Sequence, residues 1–181
     1  MSEIITELQT ISSNARNVFG NLSAEQINWK PSAESWSVGQ CFEHLIKINL
    51  GYFPDFESLI KGERQQKFWE TYSPLSGFFG NLLFKSLSPK TPRKLKAPKS
   101  AEPSASDISP MIIEDFSKHQ AELINKIRQM ENLETKKIII TSPFIKAITY
   151  SLFDTCRIIV THEKRHFGQA ERVIKEEKFP K

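Results

Sequence analysis

The sequence predicts an all-α protein, an antiparallel four-helix bundle with a long insertion between its second and third long helices. Three observations lead there. Apolar residues recur at spacings of three and four along four long segments. Helix-start signals stand at the head of a short helix and of the second long one. Strand patterning is nearly absent: residues 138–140 form a β-branched run, but with no partner in view they read as an extended connection to Pro143. At 181 residues the chain suits one domain, residues 1–181.

The first helix spans about residues 4–22, with Ile4, Leu8, Ile11, Ala15, Val18 and Leu22 on one face. Gly20 and Asn21 weaken it. Ser23 and Gln26 then spell a capping box for a short helix that must end before Pro31. Ser37 and Gln40 spell a second box, opening the second long helix with the stripe Val38, Cys41, Leu45, Ile48 and Tyr52, which Pro54 should end or kink. Residues 54–110 hold seven of the ten prolines and three of the seven glycines, the mark of a long insertion, with one helix at 76–88 inside it. The third long helix begins near Ser106 or Asp107, with Pro110 in its first turn, and runs to Met130. The last, in one or two pieces, covers 143–177 with the stripe Ile148, Leu152, Cys156, Ile159, His166, Ala170 and Val173.

Composition excludes several classes. Hydrophobic residues make up 39% and charged residues 25%, so the chain is neither disordered nor collagen-like. Two cysteines are too few for a disulfide framework. No apolar run approaches the roughly 20 residues of a membrane span, and residues 1–8 lack a secretory pattern, so a cytoplasmic location is expected. The net charge of +4 is unevenly spread: Lys85, Lys90, Arg93, Lys94, Lys96 and Lys99 occur with no acid between Thr71 and Ala101, leaving the remainder at 4 − 6 = −2. Such a segment can be a solvated loop, or can draw an anionic thiol, an acidic substrate or an anionic surface. Aromatics are not interleaved with its charges, so no nucleic-acid partner is expected.

The chemistry lies in the histidines. His162 and His166 are four apart on the last helix, so they share a face and can converge on one ion. His166 falls about 20° and His162 about 60° from the stripe centre at Ile159, which points both rings toward the core. His44, at the edge of the second helix's buried face, and His119, within the third helix's stripe, are both candidates for a third ligand. The residues alone leave that choice open.

Two segments carry a resemblance. Trp29-Lys30-Pro31, Trp36-Ser37-Val38-Gly39-Gln40 and His44-Leu45 resemble the opening signature of the DinB-like family, also described as YfiT-like metal-dependent hydrolases. Thr161-His162-Glu163-x-x-His166-Phe167-Gly168-Gln169-x-x-Arg172 is similar to that family's final-helix motif. The resemblance covers essentially the whole chain. It implies a four-helix bundle holding one divalent metal on three histidines, and His44, His162 and His166 are the residues that match. His119 has no counterpart in the motif. Family members include S-transferases for bacillithiol, a mycothiol-dependent isomerase and many proteins without a known activity.

Three imidazoles leave an ion with an open position, as catalytic sites do. All-nitrogen ligation suits zinc or nickel better than magnesium or calcium. A low-molecular-weight thiol held as thiolate, or an ionised water, are the two reagents such an ion can supply. Glu43 and Glu163 read as solvated charges, and without a clear carboxylate base the expectation leans to a thiol-dependent S-transferase acting on a small molecule. A metal-dependent hydrolase, and a non-catalytic metal- or ligand-binding stress-response module, are the alternatives. Gln169 can sit behind the ligands, Cys41 and Cys156 read as small buried hydrophobes, and helix faces allow a homodimer. Trp29 and Trp36 bracket the tight turn ahead of the second long helix, and Trp69 reads as a core or lid residue.

Overall fold

The computed structural model describes residues 1–71, 73, 75–89, 97–105 and 107–181. It is mostly helical. Four long helices, α1 (Ser2–Phe19), α3 (Val38–Ile60), α6 (Ile112–Gln129) and α7 (Leu152–Ile174), carry the core. Helix α1 packs on α6 and α7, and α3 packs on the same two. Their apolar stripes meet in an interior where Phe42 stands edge-on to both Phe19 (5.3 Å between ring centres) and Phe116 (4.9 Å).

Both capping boxes form. The Ser23 hydroxyl accepts from the Gln26 backbone at the head of α2 (Ala24–Asn28), and Ser37 does the same with Gln40 at the head of α3, the glutamines reaching back to the serine N–H in each case. Three further points concern the helices. Pro54 does not end α3, which runs on to Ile60. Pro54 lies on the exposed side, where the carbonyl it leaves unpaired can be hydrated, while Phe53 and Phe56 bury the other side of the same turn. Helix α6 starts at Ile112 rather than near residue 107, because Asp107 takes a left-handed backbone (φ 60°) that no helix can include. Residues 143–151 are not helical.

That last correction exposes a small sheet. Strand β1 (Ile139–Thr141) pairs antiparallel with β2 (Thr149–Ser151), Ile140 opposite Tyr150. The run at 138–140 therefore has a partner after all, and Ser151 ends β2 and caps α7 by accepting from the Asp154 backbone. Within residues 54–110, α4 (Phe68–Thr71) sits on β1 and α5 (Ser76–Leu87) lies across α7 and β2. Buried Glu70 ties α4 down by accepting from Arg64, Lys67 N and both the N–H and hydroxyl of Thr141. Trp69 is not a core residue: its ring is 55% exposed, held at one edge by a hydrogen bond to Thr141. A 3-10 turn at Lys99–Ala101 rests on α3. Of the basic segment, Lys90, Arg93, Lys94 and Lys96 lie outside the described residues, as does Ser106. Among the described residues no helix is long and apolar enough to cross a membrane.

Candidate metal centre

The capped start of α3 fixes the rotation that sends His44 inward two turns later, and the Ser151 cap does the same for His162 and His166 on α7. The three imidazoles meet. Nε2 of His162 lies 3.4 Å from Nε2 of His44 and 3.1 Å from Nε2 of His166, and all three donor atoms fall within 4.8 Å of one another. Three nitrogens bound to one zinc-like ion at 2.0–2.1 Å in tetrahedral array would stand about 3.3 Å apart.

Hydrogen bonds orient two of the rings. Nδ1 of His44 donates to the Ala101 carbonyl (2.6 Å), and Nδ1 of His166 donates to Oε1 of Gln169 (3.0 Å). A neutral ring protonated at Nδ1 has its lone pair on Nε2, so both rings aim lone pairs at His162. His162 can answer one of them with an N–H, not both, and its own Nδ1 is buried with no hydrogen-bond partner. A cation among the three Nε2 atoms relieves that conflict, so the group fits a divalent metal.

The rings are also held in the form that ligates. Burial lowers all three: His44 below the ordinary histidine range, His162 well below it with help from its two histidine neighbours, and His166 to about 3. Neutral imidazole is what a metal needs. Trp36 closes the group from one side, stacked on His166 (5.4 Å, 22°) and tilted against His44 (4.9 Å).

Residues 7–170 match the DinB superfamily profile. The chain belongs to the DinB superfamily. No curated protein and no solved structure matches it.

In this DinB-superfamily chain the histidines line a cavity of about 1210 Å³. The cavity is graded along its length. Helices α3 and α7 run in opposite directions: His44 meets His162, while Tyr52, two turns further along α3, meets Tyr150 just ahead of α7. Beyond the histidines toward the C-terminal half of α7 the wall carries Lys30, Glu34, Arg172 and Glu176; toward the sheet it carries Ile48, Leu83, Phe144 and Ile159.

The other predicted residues sort clearly. Gln169 stands behind His166 as its acceptor. His119 is apart from the cluster, stacked on Phe53 at 5.2 Å and 13°, its Nε2 buried and unpartnered. Cys41 and Cys156 are fully buried and burial pushes both thiols up to about 12, so neither offers a ready thiolate. Glu43 accepts from Ser104 and pairs with Lys47 at the protein surface.

Glu163 is a correction. It is not a solvated charge but fully buried, accepting from Asn49 Nδ2 and Gln120 Nε2 at 2.7 Å each, and burial raises its carboxyl to about 8. The spelling His162-Glu163-x-x-His166 is that of helical zinc proteases, whose glutamate serves as general base. Here the glutamate points to the interior between α3 and α6 and does not line the cavity. Its sequence signal was the pair Asn49 and Gln120, two polar residues on otherwise apolar faces. The Ala101 carbonyl and the Tyr52–Tyr150 contact had no sequence signal, since each depends on segments far apart in the chain.

Proposed function

We propose that this protein is a single-domain, divalent-metal-dependent S-transferase on an antiparallel four-helix bundle, passing a low-molecular-weight thiol to a small electrophile. His44, His162 and His166 hold the ion. The observation that carries the reading is the convergence of three buried Nε2 atoms, two of them aimed by Ala101 and Gln169, in the wall of a cavity. When bound there, zinc or nickel would hold a thiol as thiolate near neutral pH.

The chain's own residues supply the rest. Ala101 and Gln169 keep the ligating lone pairs inward. Trp36 shields the rings from water on one side. Arg172 and Lys30, at the charged end, suit the carboxylates of a polar thiol, and the apolar end suits the electrophile. In the transfer the thiol proton leaves to solvent, sulfur forms the new bond to the electrophilic carbon, and the leaving group departs with the electron pair of the broken bond. Against hydrolysis stands Glu163, the glutamate of the His-Glu-x-x-His sequence, which is turned away from the cavity and so gives the histidines no base from their own helix turn. The proposal includes a cytoplasmic setting, where Cys41 and Cys156 stay reduced, and a homodimer, which sedimentation checks.

The test is metal content of untagged protein and of His44→Ala, His162→Ala and His166→Ala, followed by thiol transfer to chloro-dinitrobenzene. One transition ion per chain, lost in each variant together with transfer, is expected. Wild-type protein that stays metal-free after growth in zinc and nickel overturns the reading.

A further inference from the structure

The apolar end of the cavity has a polar floor. Tyr52 and Tyr150 are both buried, at 3% and 1% exposure, yet both belong to the cavity wall, and their hydroxyls are 2.9 Å apart. Ser142, also in the wall, has its hydroxyl oxygen taken up by the backbone N–H of Phe144 and Ile145. Two phenols sharing one hydrogen bond have one hydroxyl hydrogen left over, whichever of them is the donor. A buried donor without a partner is costly, so a cavity that ends on one is shaped for an acceptor.

The surroundings define that acceptor. The charged cavity residues are Lys30, Glu34, Glu102, Arg165, Arg172 and Glu176; Arg165, Arg172 and Glu176 all follow His162 in the chain, on the side away from Tyr150, and Glu102 is next to Ala101 at His44. Phe144 packs edge-on against Tyr52 at 5.9 Å and Phe56 stacks beneath it at 6.2 Å, so the floor is rimmed by hydrocarbon. Burial also holds both phenols neutral. A carboxylate or phosphate arriving there would lose its hydration and find no cation. An uncharged oxygen fits: a hydroxyl, carbonyl or amide. Tyr52 lies eight residues beyond His44 on one helix face, on the order of 12 Å along the axis.

We propose that the apolar lobe binds an elongated, mainly hydrocarbon molecule whose reacting end meets the three histidines and whose far end bears an uncharged oxygen hydrogen-bonded by the Tyr52–Tyr150 pair. This rests on the proposed metal site and adds a substrate class to it. The two tyrosines are specificity residues.

The test separates the two claims. Cobalt-loaded protein is titrated with ω-hydroxyalkanethiols and with the methyl-terminated thiols of equal length, from four to twelve carbons. The sulfur-to-cobalt absorption band reports binding at the histidines, and calorimetry gives affinity. At about eight carbons the hydroxyl thiol should bind about 3- to 10-fold tighter than its methyl partner, the range one neutral hydrogen bond supplies. Shorter pairs should show no preference. Tyr52→Phe combined with Tyr150→Phe should abolish the preference while the methyl thiol binds as before, and an ω-carboxylate of that length should bind worse than either. Failure to load cobalt refutes the metal site itself, and a loaded site with no cobalt–thiolate band for any thiol refutes the thiol reading of it. A normal band with no length-dependent hydroxyl preference, or a preference that survives the double Phe variant, overturns the lobe assignment alone.

Discussion

Replacing His119 by leucine should remove a measurable part of the protein's acid sensitivity, separate from that of the three clustered histidines. Its ring is 8% exposed, stacked on Phe53, and burial drives it from 6.5 to about 4. Glu122, on the same helix, opposes the shift by favouring the charged ring, and Lys126 from the next turn of α6 lies over the Phe53 face, 4.7 Å from its centre. The sign follows from proton counting. Between pH 6.5 and 4 the unfolded chain carries a proton on this histidine that the folded chain does not, so stability falls as pH falls through that window. At about 1.4 kcal/mol per pH unit, the loss between pH 7 and pH 4.5 is about 2.5 kcal/mol. Urea unfolding of wild type and His119→Leu at both pH values measures it. The variant should lose about 2.5 kcal/mol less than wild type on acidification, and should gain slightly at pH 7, where a buried, unpartnered Nε2 is removed. Parallel pH profiles for the two proteins would refute the account of His119 as a core residue kept neutral by burial. Metal content should be unaffected.

Three further outcomes are expected. Gln169→Leu should weaken metal binding by about 10- to 100-fold, while Gln169→Glu retains it, since either oxygen can accept from His166 Nδ1; competition with a chelator dye reads both. Copper(II) loading should quench tryptophan fluorescence mainly through Trp36, whose ring centre is 4.9 Å from His44, so Trp36→Phe should remove most of the quenching. Gly39→Ala should destabilise by about 1–3 kcal/mol in thermal or urea unfolding, because the added carbon would stand 2.8 Å from Ile27 Cγ2 and 2.9 Å from Ile108, and this crowding exceeds the roughly 1 kcal/mol that alanine gains in a helix.

Local features were legible in the sequence and distant pairings were not. The two capping boxes involve residues three apart, and the His162–His166 pair involves residues four apart, so a one-dimensional pattern contains them. The β1–β2 hairpin does not show itself, because its strands are three residues each and Tyr150 sits among residues that also satisfy a helical stripe. Pro54 does not stop α3 at once, and the helix ends at Ile60, under two turns on, because a proline on the exposed side of a well-buried helix costs less than the packing of Phe53 and Phe56 gains. Glu163 did mislead: its angle from His162 correctly removed it from the site, but its destination depended on Asn49 and Gln120 arriving from two other helices.

That destination bears on what this site can do. A helical His-Glu-x-x-His sequence offers the same atoms to two chemistries, and helix rotation selects between them. Rotated one way, the glutamate joins the histidines as a base for water. Here Asn49 and Gln120 bond the glutamate from α3 and α6, so the rotation is fixed on the other side by two hydrogen bonds and complete burial. Reversing it would unpair both amides in the interior, at about 1–3 kcal/mol each. The face that remains toward the cavity carries Ile159, His162, His166 and Gln169 with no carboxylate between them. On that face of α7 a nucleophile finds no carboxylate base beside the histidines, which favours one that ionises easily, as the proposed thiol does. The core network behind the site thus limits the chemistry in front of it.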